Sequence, residues 1–157
     1  MTWRGSTTVP DRIFASLPYL LPLIHGLMFG GSLFRQFPIL GMLFVPLVPL
    51  IQIYSLPFAS LIIFFALYLG VIRNENISHF IRFNAMQAIL LDIVLMLSGL
   101  VLQVFDQGIQ MQFIAQTLNN MVFLGVVAAF VYAVVQSALG RYAEIPPLSD
   151  AVYMQVR

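Results

Sequence analysis

Arg73-Asn74-Glu75-Asn76-Ile77-Ser78-His79-Phe80-Ile81-Arg82-Phe83-Asn84-Ala85-Met86-Gln87-Ala88-Ile89-Leu90-Leu91-Asp92 is the stretch that decides how this chain folds. Its first ten residues form a charged loop inside an otherwise apolar sequence. Its second half carries amides and a carboxylate into an apolar segment too long for an ordinary buried core. The chain is 61% hydrophobic and 8% charged, so it has few polar groups to place. It concentrates many of them here, and function is expected to pass through this region.

The composition excludes most alternatives. Soluble domains carry about a quarter charged residues, whereas this chain has no lysine at all and a mean hydropathy of +0.95. Its solvent must be lipid. The length of 157 residues gives room for one domain, residues 1–157, embedded in the bilayer. A net charge of +1, without a basic patch, argues against a nucleic-acid partner. With no cysteine there is no disulfide, zinc thiolate or thiol nucleophile. No His-Glu-x-x-His, Gly-x-Ser-x-Gly or Gly-rich phosphate loop occurs, so neither an enzyme nor a metal or cofactor site is expected.

Outward from the opening stretch, the spans follow from length. About 20 apolar residues cross a bilayer core. The first expected span is 13–34, kinked at Pro18 and Pro22, preceded by Trp3 and Arg4 at headgroup level. Residues 37–72 hold no charge and four prolines, Pro38, Pro46, Pro49 and Pro57. The Pro-rich part, 37–53, reads as an interfacial or re-entrant piece that does not cross. The second span is 56–72, stopped by Leu69-Gly70 and Arg73. Ser78 caps a helix holding the third span, 83–105. A polar loop, 107–116, precedes the fourth, 118–139, which Leu139-Gly140-Arg141 ends. The tail, 142–157, is polar and expected at or outside the interface. The fold class is thus all-α, a polytopic membrane protein with four transmembrane helices in a bundle.

Arginine counting orients it. With four spans, Arg4, Arg12, Arg73, Arg82, Arg141 and Arg157 share one side and Arg35 stands alone on the other. This is a strong positive-inside bias, and a fifth span at 37–53 weakens it. Cysteines at Thr8, Asn76 and Ser149 are expected to label from one side, and one at Gln110 from the other.

On the third span, Asn84, Gln87, Ala88, Leu91 and Asp92 fall within roughly 140° of one another on a helical wheel. Ser98 and Gly99 return to that side, while Arg82 points away. Lipid cannot satisfy such groups, so the stripe must face protein or water. Asn84, Gln87, Asp92 and Ser98 are the candidate functional seam. Asp92 lies about 14 Å below Phe83, near the mid-plane. With no arginine at its depth, it is expected to be protonated and hydrogen-bonded across the bundle to the first or fourth span. The alternative is a carboxylate lining a wet pathway. Arg73, His79, Arg82 and Arg141 are candidate lipid or partner contacts at the interface. His25 reads as a neutral, hydrogen-bonding packed side chain and not as a metal ligand. Gly125, Ala128, Ala129, Tyr132 and Gln136 read as a small-residue packing flank on the fourth span.

At these residues a resemblance appears. Ile77 to Asp92 is similar to the signature of the twenty-kilodalton subunit family of the chloroplast inner-envelope protein translocon. Asp11-Arg12-Ile13-Phe14-Ala15-Ser16-Leu17-Pro18-Tyr19-Leu20-Leu21-Pro22-Leu23 resembles that family's first helix. Tyr142-Ala143-Glu144-Ile145-Pro146 and Ser149 to Arg157 resemble its tail. The resemblance implies four membrane helices with both ends on the stromal or cytoplasmic side, and a role in protein import or insertion. It carries over no catalytic residue. Without a transit segment before Trp3, a cyanobacterial or plastid-encoded relative is expected, in the plasma membrane or the plastid inner envelope.

Four packed helices sit about 8–10 Å apart with side chains between them. They leave no lumen for a polypeptide, so a pore needs several copies or larger partners. The partners expected are the bilayer, other translocon subunits, further copies of the chain and substrate polypeptides. Two other readings remain: a structural assembly subunit, and a small-solute or ion transporter using Asp92. A transporter should show a second intramembrane ionisable group, or broken helices meeting at mid-depth.

Overall fold

In a computed structural model, residues 7–107 and 111–156 are described. Trp3, Arg4, Gln110 and Arg157, used in the sequence reading, lie outside them. Helix α1 is Val9–Gln36. Thr8 caps it reciprocally: the Asp11 amide donates to Thr8 Oγ1 at 3.3 Å and the Thr8 amide to Asp11 Oδ2 at 3.0 Å. Pro18 and Pro22 do not interrupt α1. The helix tightens to 3-10 turns at Leu17–Tyr19 and Leu27–Gly30, and both prolines are buried against neighbours.

The Pro-rich segment forms two short helices, α2 (Pro38–Leu43) and α3 (Val45–Tyr54). Helix α4 is Ala59–Ile72 and meets α3 at 93°. The expected second span, 56–72, is therefore shorter than a bilayer needs. At 1.5 Å per residue its helix covers about 21 Å. The break contains Pro57, and Phe58 sits there at φ 63°. Leu69-Gly70 is no stop either. Gly70 lies inside a widened last turn, Tyr68–Ile72, closed by the Arg73 amide on the Tyr68 carbonyl at 3.0 Å.

Helix α5 (His79–Asp106) and helix α6 (Gln112–Ala138) are longer than expected. Ser78 caps α5, accepting from the Ile81 amide at 3.4 Å. Helix α6 extends through its polar first turns because those side chains find partners. Gln116 Nε2 donates to Ser32 Oγ of α1 at 2.5 Å, and Thr117 and Asn119 bond carbonyls four residues back. Gly140 ends α6 at φ 73°, with the Arg141 amide on the Gln136 carbonyl at 2.9 Å. The tail folds as α7 (Pro146–Gln155), whose Val152, with Val156 just beyond it, packs on Ile72, Phe83, Met86 and Ile89.

Three helices, α1, α5 and α6, are long and apolar enough to cross a membrane, four spans if bent α3 and α4 count as one. The α1 N-terminus, the 73–78 loop and the tail meet at one end of the bundle: Arg12 Nη1 donates to the Ala138 carbonyl at 3.3 Å, and His79 contacts Tyr142 and Val156. At the other end Phe44 joins Phe34 and Phe123 in a ring cluster.

The glycine-mediated helix approach is not at Gly125, on the expected flank of α6. Gly125 and Ala128 face outward, and a Cβ on Gly125 would meet nothing within 4 Å. The glycines that matter are Gly26 and Gly30 of α1. A Cβ on Gly26 would stand 2.4 Å from Val126 Cγ1, and one on Gly30 2.9 Å from Phe123. This four-residue glycine spacing lets the α1 and α6 backbones approach.

Candidate functional site: a polar seam between the spans

The polar stripe of α5 turns inward and is sealed. Asn84 and Gln87 are fully buried. Tyr19 of α1 donates its hydroxyl to Asn84 Oδ1 at 2.8 Å, and Gln87 Nε2 donates to the Tyr19 oxygen at 2.7 Å. Asn84 Nδ2 returns to the Phe80 carbonyl at 2.8 Å, and Ser137 of α6 donates to Asn84 Oδ1 at 3.4 Å. Gln87 also holds the chain after α6. Its Nε2 donates to the Ala143 carbonyl, and its Oε1 accepts from the Ile145 amide at 3.1 Å. Two amide side chains thus join α1, α5, α6 and the tail. Polar groups this deep require such saturation, since each unmade bond carries its full desolvation penalty.

Asp92 sits near the middle of α5, and so does His25 on α1. Asp92 Oδ1 lies 2.5 Å from His25 Nδ1. The partner is on the first span, one of the two expected. It is also an ionisable base, at a depth where the chain has no arginine. Asp92 is nearly closed off, its side chain 4% exposed, while that of His25 is 23% exposed. The Tyr54 ring of α3 stands edge-on to His25, centroids 6.0 Å apart at 89°. Tyr54 also ends an apolar groove of about 530 Å³ between α1 and α4, lined by Phe14, Leu17, Leu21, Ile63 and Leu67.

Of the four seam residues, Asn84, Gln87 and Asp92 are brought inside. Ser98 is not: its hydroxyl bonds its own helix at the Val94 carbonyl, 2.8 Å away, beside a shallow surface groove. The interfacial set divides as well. Arg82 is buried, its Nε donating to the Ile72 carbonyl at 2.8 Å, which fastens α4 to α5. His79 lies 2.9 Å from the Tyr142 hydroxyl and stacks on Tyr153. Arg73 and Arg141 are exposed. Arg73 shares a polar depression with Glu75 and Arg82. Among the described residues no group of three or more His, Asp or Glu converges as a metal site. Sequence reasoning misses Tyr19, Tyr54 and Ser137, and names His25 without its partner. For His25 a signal exists: α1 and α5 start at the same end of the bundle, so its distance along α1 matches that of Asp92 along α5.

Comparison with known proteins gives the family of the chain. The family described as "Chloroplast import apparatus Tic20-like" matches residues 7–152. A Tic20 family protein of Synechocystis is 54% identical over 153 residues, covering 94% of this chain and 93% of the relative. The chloroplastic protein TIC 20-II of Arabidopsis thaliana is 40% identical, over 99% and 78% of the two chains. The Tic20 family protein Ycf60 of Porphyra purpurea is 33% identical, over 99% and 80%. The match runs from the α1 cap to α7 and takes in every residue of the sealed seam; this chain belongs to the Tic20 family.

Proposed function

We propose that this protein is a membrane subunit of a protein translocon, assisting import or insertion as part of a larger assembly and not as a self-sufficient channel. Its family membership supports the first part. The sealed seam is the observation that supports the second. Tyr19, Phe83, Asn84, Gln87 and Ala88 fill the space between α1, α5 and α6 and are fully buried, so no passage for an extended chain runs there. Other subunits, further copies of the chain and substrate polypeptides are the partners this reading calls for. A scaffold role alone is the neighbouring reading. A small-solute or ion transporter draws support from the His25–Asp92 pair and from the α3–α4 break beside it.

The same reading places both termini and the 73–78 loop in the cytoplasm or stroma, with α3 and α4 together making one broken crossing, in place of the expected crossing by 56–72 alone. Single cysteines at Thr8, Asn76 and Asp150 should all label from that side; Ser149 is buried and unsuitable. Photo-crosslinkers at exposed positions of native-level protein, followed by identification of the captured chains, test the function. Capture of translocon subunits or of polypeptides in transit is expected. Capture of neither, with normal import or insertion in a strain lacking the protein, would refute it.

A further inference from the structure

We propose that His25 and Asp92 form an intramembrane proton-binding site whose occupancy decides whether α3, the first half of the broken α3–α4 segment, is docked on the bundle. The proposal stands on geometry and holds whichever assembly the chain serves. An N···O separation of 2.5 Å accommodates one hydrogen between the two atoms. With one shared proton the pair is neutral and closed. A second proton, taken from water, leaves an imidazolium beside a neutral carboxyl and a net positive charge. Loss of the shared proton to water leaves a neutral imidazole beside a carboxylate and a net negative charge. Both states leave an uncompensated charge at mid-depth that moves toward water if it can. Asp92 is enclosed, so His25, the more exposed partner, is the one that swings.

What His25 carries with it is the docking of α3. Tyr54 is the last residue of α3 and stands edge-on to the His25 ring, directly before the 93° break. Nothing between Pro38 and Leu67 is buried. Its α3 half is held at the far end by Phe44 on Phe34 and Phe123 and at the near end by Tyr54 on His25, whereas α4 is fastened to the bundle by Arg82 on the Ile72 carbonyl. Segments with so few buried contacts open at the low end of the stability range. Other titratable groups do not compete for the pair. On α1, Tyr19 is engaged by Asn84 and Gln87. On α6 the titratable side chain is Tyr132, directed to the Glu144 carbonyl. On α4 it is Tyr68, stacked on Phe64. On α5 His79 and Arg82 lie at the start of the helix and Asp106 at its end, away from Asp92. Tyr54 is the titratable neighbour that faces the pair.

The test is a distance. Spin labels at Ser55, in the break, and at Met96, on the outer face of α5, are both exposed positions. In lipid nanodiscs, electron–electron distance distributions are recorded from about pH 5 to about pH 10. One narrow distance is expected near neutrality, with a second, longer one growing several-fold toward at least one extreme. Asp92→Asn removes the group that carries the negative charge, so any opening at the alkaline extreme should be lost in it. His25→Gln removes the group that carries the positive charge, so any opening at the acid extreme should be lost in it. A distribution in the parent protein that does not change with pH overturns the proposal. So does an alkaline opening that Asp92→Asn leaves unchanged, or an acid opening that His25→Gln leaves unchanged.

Discussion

Gln87→Leu should lower the stability of the folded bundle by about 3 kcal/mol or more and free the tail. Leucine fills the space but leaves the Tyr19 hydroxyl with one bond fewer and orphans the Ala143 carbonyl and the Ile145 amide. Each buried polar group without a partner costs about 1–3 kcal/mol. The affected backbone leads directly into α7, so Val152 and Val156 lose their anchor on Phe83, Met86 and Ile89. Denaturant titration in mild detergent should show the loss, and limited proteolysis should cut between Gly140 and Pro147. Ser98→Ala is the matched control. Its hydroxyl bonds only its own helix, so its effect should stay within about 0.5 kcal/mol.

Gly26→Leu should be comparably severe, for a reason of shape and not polarity. The first added carbon already meets Val126 Cγ1 at 2.4 Å, and a β-branched valine in a helix has little rotamer freedom with which to yield. Overpacking costs about 1–3 kcal/mol when neighbours can shift. Here α1 must move off α6, and His25 moves with it. Val126→Ala should restore part of the loss in the double variant. Gly31→Ala, where a Cβ meets nothing within 4 Å, should be neutral or stabilise by up to about 1 kcal/mol, as alanine does in a helix. Thermal unfolding of the three variants in the same detergent separates the two outcomes.

The polar stripe of α5 is legible in the sequence because lipid cannot satisfy an amide or a carboxylate, so its direction follows from the helical wheel alone. The Ser78 cap and the Gly140 stop are legible because they rest on local geometry. Three features are not. His25 lies 67 residues from Asp92, and its partner shows only once α1 and α5 are set side by side from the same end of the bundle. The Gly26–Gly30 approach is obscured because Gly30-Gly31 reads equally well as a helix end. The elbow at residues 55–58 depends on a positive φ at Phe58, a residue type that rarely adopts one. Helix α6 starts six residues early for a related reason: Gln112 and Gln116 look like loop until Ser32 is placed opposite Gln116.

The claim underneath all of this is that α1 and α5 are fastened side chain to side chain at mid-depth, leaving no path between them. A double-mutant cycle on His25→Leu and Asp92→Leu, measured as unfolding free energy in the same lipid or detergent, tests it most directly. Interhelical polar pairs in membranes couple by about 0.6 kcal/mol on average and about 1.7 at most. A contact of 2.5 Å between two ionisable groups belongs at the top of that range, so a coupling of about 1.5 kcal/mol is predicted. A coupling within about 0.3 kcal/mol of zero, the limit expected for independent sites, would contradict the account.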